Sequence, residues 1–475
     1  MFVLARGGVA DPDIWWHLRD GEYLLTNIRF PRMDMYSFTV SGQPWMDHEW
    51  LAEVAYYLAW RAFGLAGVQA LFMVLLELIF LGLLYLCYKT SRTFKGSVLA
   101  CCISVFLATV SFGPRTILFG YIYLVVLLIV LDQFRSRGNA PLWLLPPLFC
   151  LWINTHGSWS LGLIVFAIVV ASGLFQGSWR SVEALRWPPR QLRQMFLTFG
   201  SCVLALFVNP YGYRLILYPL DLAFRQKLNI AHIAEWTSVD FHQVRGKIVL
   251  ILLVGLLLAA LLSGHRWKLH ELCLALFGLY CGLTYIRFLF LAAILLAPLL
   301  AKFLDFLGPY RPEIDKPRLN ALILCGILII MVRWFPSSSQ LRKLIAKDYP
   351  EEILPYLRSH RLEGRVLNYY LWGGYLGWND RDFKVFIDSR VDIFEYAGVL
   401  KDYIDAIELK KSLEILDKHQ IRYVLFPPQE PLAYLLKQDR DWKVVFSGDV
   451  STMFERITPL PANVTGAATS ARGPG

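Results

Sequence analysis

Three short stretches near the start of the chain set acids and imidazoles among indole rings. They read Asp11-Pro12-Asp13-Ile14-Trp15-Trp16-His17-Leu18, Pro31-Arg32-Met33-Asp34, and Pro44-Trp45-Met46-Asp47-His48-Glu49-Trp50. A carboxylate partly desolvated by apolar rings gains proton affinity, which suits it to take a proton from an alcohol. Indole faces stack on sugar rings and also anchor at membrane interfaces. Asp13, Asp47 and Glu49 are therefore the catalytic candidates, and Trp15, Trp16, His17 and His48 are candidates for holding substrate. Each has a plainer use. Trp15, Trp16, Trp45 and Trp50 suit an aromatic belt, and Asp11 suits the cap of a helix beginning at Pro12. Asp47, His48 and Glu49 resemble part of a metal site, but three consecutive residues cannot all face one ion from a helix, so no metal is assigned.

A second set of polar residues stands at the edges of apolar runs: Arg115 in Gly113-Pro114-Arg115, Asn154 and His156 in Asn154-Thr155-His156-Gly157, Asn209-Pro210-Tyr211-Gly212, Glu235-Trp236, and Arg287. An ionisable group near hydrocarbon is costly unless it is paired or solvated. Arg115 and Arg287 have the chemistry to hold a phosphate or pyrophosphate; the alternatives are that they snorkel or pair with a carboxylate from residues 1–64. Asn154, His156 and Glu235 complete the substrate-binding candidates, with bonds to backbone carbonyls as the plainer use of His156.

The elements that must position these groups are membrane helices. Of 475 residues, 56% are hydrophobic and 18% charged, and the mean hydropathy is +0.45, which excludes an ordinary soluble chain. A helix needs about 20 apolar residues to cross a hydrocarbon core of about 30 Å. Ten runs qualify as spans, at 65–88, 96–113, 115–132, 141–154, 157–175, 192–208, 247–263, 269–284, 286–304 and 319–335; Pro146 and Pro147 predict a kink in the fourth. Lys89, Arg92, Lys95, Arg135, Arg137, Arg180, Arg186, Arg190, Arg193, Arg266, Lys268, Arg311, Lys316 and Arg318 occupy alternate loops, which the positive-inside rule assigns to the cytoplasm. Their placement accounts for the net charge of +10 without nucleic acid. All eight cysteines lie in apolar segments, so no disulfide framework is expected.

This orientation puts residues 1–64, and everything after 336, outside the membrane. Met1 to Ala10 is too short to span, so a further helix before Met1 is expected. Within 48–63, Trp50, Val54, Tyr57 and Leu58 recur at helical spacing with Glu49, Glu53 and Arg61 elsewhere, which predicts a helix lying in the interface. Past the linker at Pro336 to Ser339, residues 336–458 alternate helical and strand signals. They predict a small α/β domain with helices at 341–360, 396–418 and 431–438, strands at 365–370, 384–388 and 422–426, and a closing hairpin of 443–446 with 452–456. Gly373-Gly374 lacks a nucleotide-binding pattern, Asp388-Ser389-Arg390 suggests an internal ion pair, and residues 459–475 read as a disordered tail in which the Asn463 sequon is chance.

An acidic, Trp-rich first loop, an interfacial helix, outward polar motifs, an Arg at a late span and a C-terminal soluble domain together resemble the GT-C superfamily of membrane glycosyltransferases. DPDIWWHL, WMDHEWL, WINTHG, VNPYG, GGYL and FIDSR are similar, over nearly the whole chain, to a large group of bacterial polytopic membrane proteins. The link to protein O-mannosyltransferases and lipid A aminoarabinose transferases runs through topology and the acidic first loop. The resemblance implies a polyprenyl-phosphate-sugar donor, a glycan, lipid or protein acceptor, and reaction on the outer face of the cell inner (cytoplasmic) membrane. It gives Asp13 the role of base, with Asp47 or Glu49 orienting the acceptor. Arg115 and Arg287 would neutralise the leaving phosphate in place of a divalent ion, with no cofactor. The span that precedes the acidic loop in that superfamily would lie before Met1. The alternatives are a transporter or flippase of lipid-linked glycans, or a catalytically inactive scaffold; the lack of a repeat of 20 to 50 residues argues against a transporter.

Overall fold

The computed structural model describes residues 11–308, 310–360 and 362–460. Met1 to Ala10, most of the expected tail and the Asn463 sequon lie outside the described residues. The chain forms two compact units, one holding residues up to Pro31 with Met46–Arg342, the other Arg32–Trp45 with the chain from Lys343 onward. Residues 1–64 are thus shared between the two.

The first unit is helical: α1 (Ile14–Asn27), α2 (Trp50–Phe63), α3 (Leu65–Ser91), α4 (Phe94–Ala108), α5 (Ile117–Arg137), α6 (Leu145–Ile153), α7 (Trp159–Ser172), α8 (Pro189–Ala205), α9 (Tyr213–Arg225), α10 (Lys227–His232), α11 (Val244–Leu262), α12 (Leu269–Thr284), α13 (Leu289–Phe303) and α14 (Pro317–Arg333). Every apolar run named above is helical. Five stretches are long and apolar enough to cross a membrane, namely α3, Phe94–Ser111, α5, α11 and Ile286–Phe303, and the pair Pro317–Arg333 and Ser338–Ile345, bent by 65°, would make a sixth. Leu142–Ile153, Trp159–Ser172 and Leu269–Thr284 are apolar but shorter. Pro146 and Pro147 do not kink a span. They occupy the first turn of α6, where a missing N–H leaves no helical bond unmade. A small sheet of β1 (Gly177–Trp179), β2 (Val182–Ala184) and β3 (Trp267–Lys268) was not foreseen.

The centre of the bundle is α13, buried from Leu289 to Ala297 and packed by α4 and α12. Close approach depends on glycine: a Cβ at Gly282 would stand 2.8 Å from the Ala292 Cβ. By contrast α14 has no buried residue and α11 only Gly246 and Val249, so their leucines face outward, as lipid-facing helices require.

The second unit carries β4 (Arg365–Asn368), β5 (Ile421–Phe426), β6 (Trp442–Ser447) and β7 (Thr452–Arg456) in the order β4-β5-β7-β6. β4 and β5 are parallel and the other pairs antiparallel, Val424 facing Phe454 across β5 and β7. The hairpin and the helix Pro431–Gln438 fall where alternation and periodicity place them. Three expectations are corrected. The helix expected over 341–360 breaks into Ser338–Ile345 and Leu354–Ser359, because Pro350 disfavours helix before it. The helix over 396–418 becomes Val391–Tyr396, Val399–Ile407 and Ser412–Lys418, with Gly398 at φ +74° making the first break. Residues 384–388 form no ladder; Val385 makes a single bridge to Ser37.

The internal ion pair is present and larger than expected. Arg390 Nη2 donates to Asp388 Oδ2 at 2.7 Å and to Asp34 Oδ1 at 2.8 Å, with all three side chains buried. Trp45 belongs to this network, its ring centroid 4.8 Å from the Arg390 guanidinium, and not to an aromatic belt.

Candidate functional site

The candidate site is built around two short helices of the first unit. Asp11 does not cap a helix at Pro12; its Oδ1 accepts the Asp13 amide at 3.0 Å and α1 begins at Ile14. α1 then buries Trp15, Trp16, His17 and Asp20 against α2. The two helices touch at Gly21, where a Cβ would lie 2.4 Å from the Glu53 carbonyl oxygen. Trp15 and Trp16 are therefore buried between elements and form no exposed belt. Trp16 Nε1 donates to Asp13 Oδ1 at 3.4 Å, and its ring lies 3.8 Å from that of His17.

The interfacial reading of α2 needs a correction. The buried face of the helix is Ala52, Glu53 and Tyr56, while Leu58 is exposed, so an acid looks inward where an apolar residue was expected. Glu53 and Glu49 are one helical turn apart and share this inward side with Asp47. Burial raises Asp47 from 3.8 to about 6, against the opposing effect of a hydrogen bond with Glu53. Burial, reinforced by the Asp47 and Asp20 charges, raises Glu53 well above the usual carboxyl range. Asp47 Oδ2 and Glu53 Oε2 are both enclosed without a conventional donor among the described residues, and a proton shared between the two groups satisfies both. Of the two, Glu53 is the one whose proton affinity burial and neighbouring acids raise together.

Glu49 is the hub of three imidazoles. His156 Nε2 stands 3.3 Å from its Oε1, His48 Nε2 3.6 Å from the same oxygen, and His17 Nε2 3.5 Å from its Oε2. His17 Nδ1 meets Glu53 Oε1 at 3.1 Å and so links the hub to the proton-sharing pair. Burial first, then neighbouring cations and imidazoles, lowers His17 and His156 well below the ordinary value, and both are neutral at pH 7. The His156 ring bonds to no backbone carbonyl among the described residues; its Nδ1 accepts the Ser158 amide at 2.9 Å. His48 packs on Tyr218, ring centroids 4.4 Å apart. Among the described residues no group of three or more His, Cys, Asp or Glu side chains is arranged to hold a metal ion.

Of the two uses open to Arg115, pairing is the one observed. Its guanidinium is held by Asp11 on one side and Glu235 on the other, and Tyr56 donates to its carbonyl at 3.0 Å, tying α2 to the loop before α5. Burial would push Glu235 up, but Arg115 and Arg287 outweigh it and hold the acid below its usual value. Arg287 is different. Its guanidinium lies 4.3 Å over the Trp236 ring, and its Nε makes no hydrogen bond among the described residues. Trp236 is set there by backbone bonds from Ile286 to Thr237 at 2.9 Å and from Val239 to Leu283 at 3.2 Å.

Asn154 is used as a strut. It accepts from Trp50 Nε1 at 2.9 Å and donates to the Cys150 and Val208 carbonyls at 2.7 and 2.8 Å, which leaves its side chain committed to the fold. The substrate-binding expectation for Asn154 is therefore replaced by a positioning one. Sequence reading gave Asp11 a cap and Glu53 a surface place, and did not single out Asp20; for Glu53 the signal was its spacing of four from Glu49, and for Asp20 its spacing of three from His17.

With this geometry, the chain superposes on the oligosaccharyltransferase of Archaeoglobus fulgidus tethered to an acceptor peptide containing the NVT sequon, at TM-score 0.52 and 13% identity, covering 89% of this chain and 65% of that one. It also superposes on ArnT from Cupriavidus metallidurans bound to undecaprenyl phosphate, at TM-score 0.50 and 12% identity, covering 97% of both chains. At these identities the likeness is one of fold. A third match is the archaeal oligosaccharyltransferase AglB from Archaeoglobus fulgidus in complex with an inhibitory peptide and a dolichol-phosphate, at TM-score 0.50, 12% identity and 88% coverage of this chain. The chain spans about two thirds of the length of the archaeal structures it matches. No family model matches the chain, and no curated protein sequence matches it. The acids and imidazoles around α1 and the start of α2 share one end of the bundle with Arg115 and Arg287, and the cations at the far ends of α3, α5 and α13 mark the other.

Proposed function

We propose that the protein is a membrane glycosyltransferase moving a sugar from a polyprenyl-phosphate-linked donor to an acceptor hydroxyl or amine. The observation that carries this reading is the contrast between its two arginines. Arg115 is neutralised by Asp11 and Glu235, whereas the Arg287 Nε has no hydrogen-bond partner among the described residues and its charge acts on Glu235 and His156. A guanidinium so placed suits a leaving phosphate. As the bond from the sugar's anomeric carbon to the phosphate oxygen breaks, that oxygen keeps the electron pair and Arg287 stabilises the charge. The acceptor attacks the same carbon and its proton passes to Asp13, which is part-exposed at the start of α1. Glu49, held by three imidazoles, orients the acceptor, and Asp47 acts through Glu53. Support for a lipid-phosphate donor comes from the dolichol-phosphate of the AglB structure and the undecaprenyl phosphate of the ArnT structure. The reading takes the ten apolar helices as crossings, the short ones sheltered by neighbours, with the first loop and C-terminal unit outside the cytoplasm.

The test is transfer of radiolabelled sugar from polyprenyl-phosphate donors to endogenous acceptors in membranes carrying the chain, comparing wild type with Asp13→Asn and Arg287→Gln. Transfer by wild type and a loss of about 10²-fold or more in both variants is expected. Inserted wild-type protein that transfers from no donor would overturn the reading.

A further inference from the structure

At the end of the bundle away from Arg115 and Arg287, α3, α5, α12 and α13 line a cavity of about 220 Å³. One water requires roughly 15 Å³ of such space, so the cavity has room for a polyatomic group and its hydration. Lys89 and Arg92 reach it from the end of α3, Arg135 and Arg137 from the end of α5, Lys268 from the start of α12, and Lys302 from the end of α13. The 21 residues of α5 separate this cavity from the Arg115 site by about 30 Å.

The charges do not cancel. Glu271 is satisfied by Lys302 and by His265 at 3.3 Å. Arg135 lies 5.0 Å over the Trp187 ring. Lys89, Arg92, Arg137 and Lys268 make no salt bridge among the described residues, and the remaining acid in the wall is Asp132. Two enclosed nitrogens of the same wall, Arg135 Nη1 and His270 Nδ1, have no hydrogen-bond partner among the described residues. Arg92 holds a left-handed backbone at φ +62°, where glycine is the easier residue, so its side chain is kept at the mouth at some conformational cost. Leu86, Leu128 and Leu299 line the deeper wall. Cations that merely orient spans would scatter over loops. Here they converge from four helices on one cavity with an apolar back.

We propose that this cavity is a binding site for a phosphate-bearing anion, distinct from the Arg287 site. A basic pocket between membrane helices with an apolar wall suits the phosphomonoester of an anionic lipid, and the same cations would take a free pyrophosphate. The proposal does not depend on transferase activity.

The full chain, purified in detergent, is titrated with mixed micelles containing phosphatidate, with phosphatidylcholine micelles as control, and separately with inorganic pyrophosphate. Thermal shift and native mass spectrometry report binding. Arg137→Gln with Lys268→Gln removes two exposed cations; unliganded stability should not change, and affinity should fall roughly fivefold per cation, or about 25-fold together. Lys89→Gln, from the inner wall, gives a second and independent loss. Retention of phosphatidate without pyrophosphate binding identifies a lipid headgroup, and pyrophosphate binding that competes with phosphatidate identifies a free anion; both support the site. Binding of neither, undiminished affinity in these variants, or equal losses from Arg186→Gln with Arg190→Gln outside the cavity would overturn it.

Discussion

His156 Nε2 lies 3.3 Å from Glu49 Oε1 while His156 Nδ1 accepts the backbone amide of Ser158 at 2.9 Å. A neutral imidazole carries one ring proton, and a nitrogen that accepts an amide proton cannot carry it. The proton is therefore on Nε2 and points at Glu49, so the Asn154-Thr155-His156-Gly157 turn selects the tautomer and fixes one oxygen of the hub carboxylate. His156→Gln, whose amide can still donate toward Glu49, should keep more transfer activity than His156→Ala, which should lose about 10²-fold. Equal losses in initial-rate assays of the two variants would place the role of His156 elsewhere.

Asp47 and Glu53 make the first unit's stability depend on pH. Both are raised by burial, so the folded state favours their protonated forms. A raised acid contributes stability that is complete below its unfolded pKa and is lost as pH climbs through its folded one. For Asp47 that window runs from 3.8 to about 6. The melting temperature should fall across it, by the equivalent of about 3 kcal/mol, and Asp47→Asn should flatten the profile.

Glu53→Gln removes the acid but keeps a group that can donate to Asp47, so thermal stability at neutral pH should change by less than about 1 kcal/mol. Glu53→Ala opens a cavity and leaves Asp47 without its donor, at a cost of about 3 kcal/mol. Thermal melts in one detergent compare the two.

Arg115 and Arg287 should fail in different ways. Arg115→Gln leaves Asp11 and Glu235 without their counter-charge and should destabilise the unit by about 3–5 kcal/mol, visible as a lowered melting temperature before any assay. Arg287→Gln removes a side chain that contacts Trp236 by its guanidinium face. It should melt within about 1 kcal/mol of wild type and lose transfer.

In the second unit, Arg390→Ala strands Asp34 and Asp388 in a buried site with no cation, and should cost about 3–5 kcal/mol. Hydrogen exchange of the β4 and β5 amides reports this locally. Asp34→Asn retains one hydrogen bond to Arg390 and should cost less.

The membrane class, the helical segments and the separate C-terminal α/β unit were legible in the sequence because each is written in local composition. Runs of about 20 apolar residues have no soluble alternative, and the cations between Lys89 and Lys268 sit at helix ends whatever the packing. The candidate site residues Asp13, Asp47, Glu49, His17, His48, His156, Arg115 and Arg287 were singled out as polar groups in apolar surroundings. Their partners were not. Glu53 reads as a surface residue by periodicity, and it is inward because Gly21 lets α1 close over it. Arg115 pairs with Asp11 and Glu235 from 104 residues before it and 120 residues after it, a match that no local pattern encodes. Asp34, in the same N-terminal stretch as Asp20 and Asp47, instead meets Arg390, 356 residues away. Which groups would be charged, protonated or still open to a phosphate was decided by the tertiary structure, because the energy of an ionisable group depends on what packs against it, and packing is a property of the whole fold.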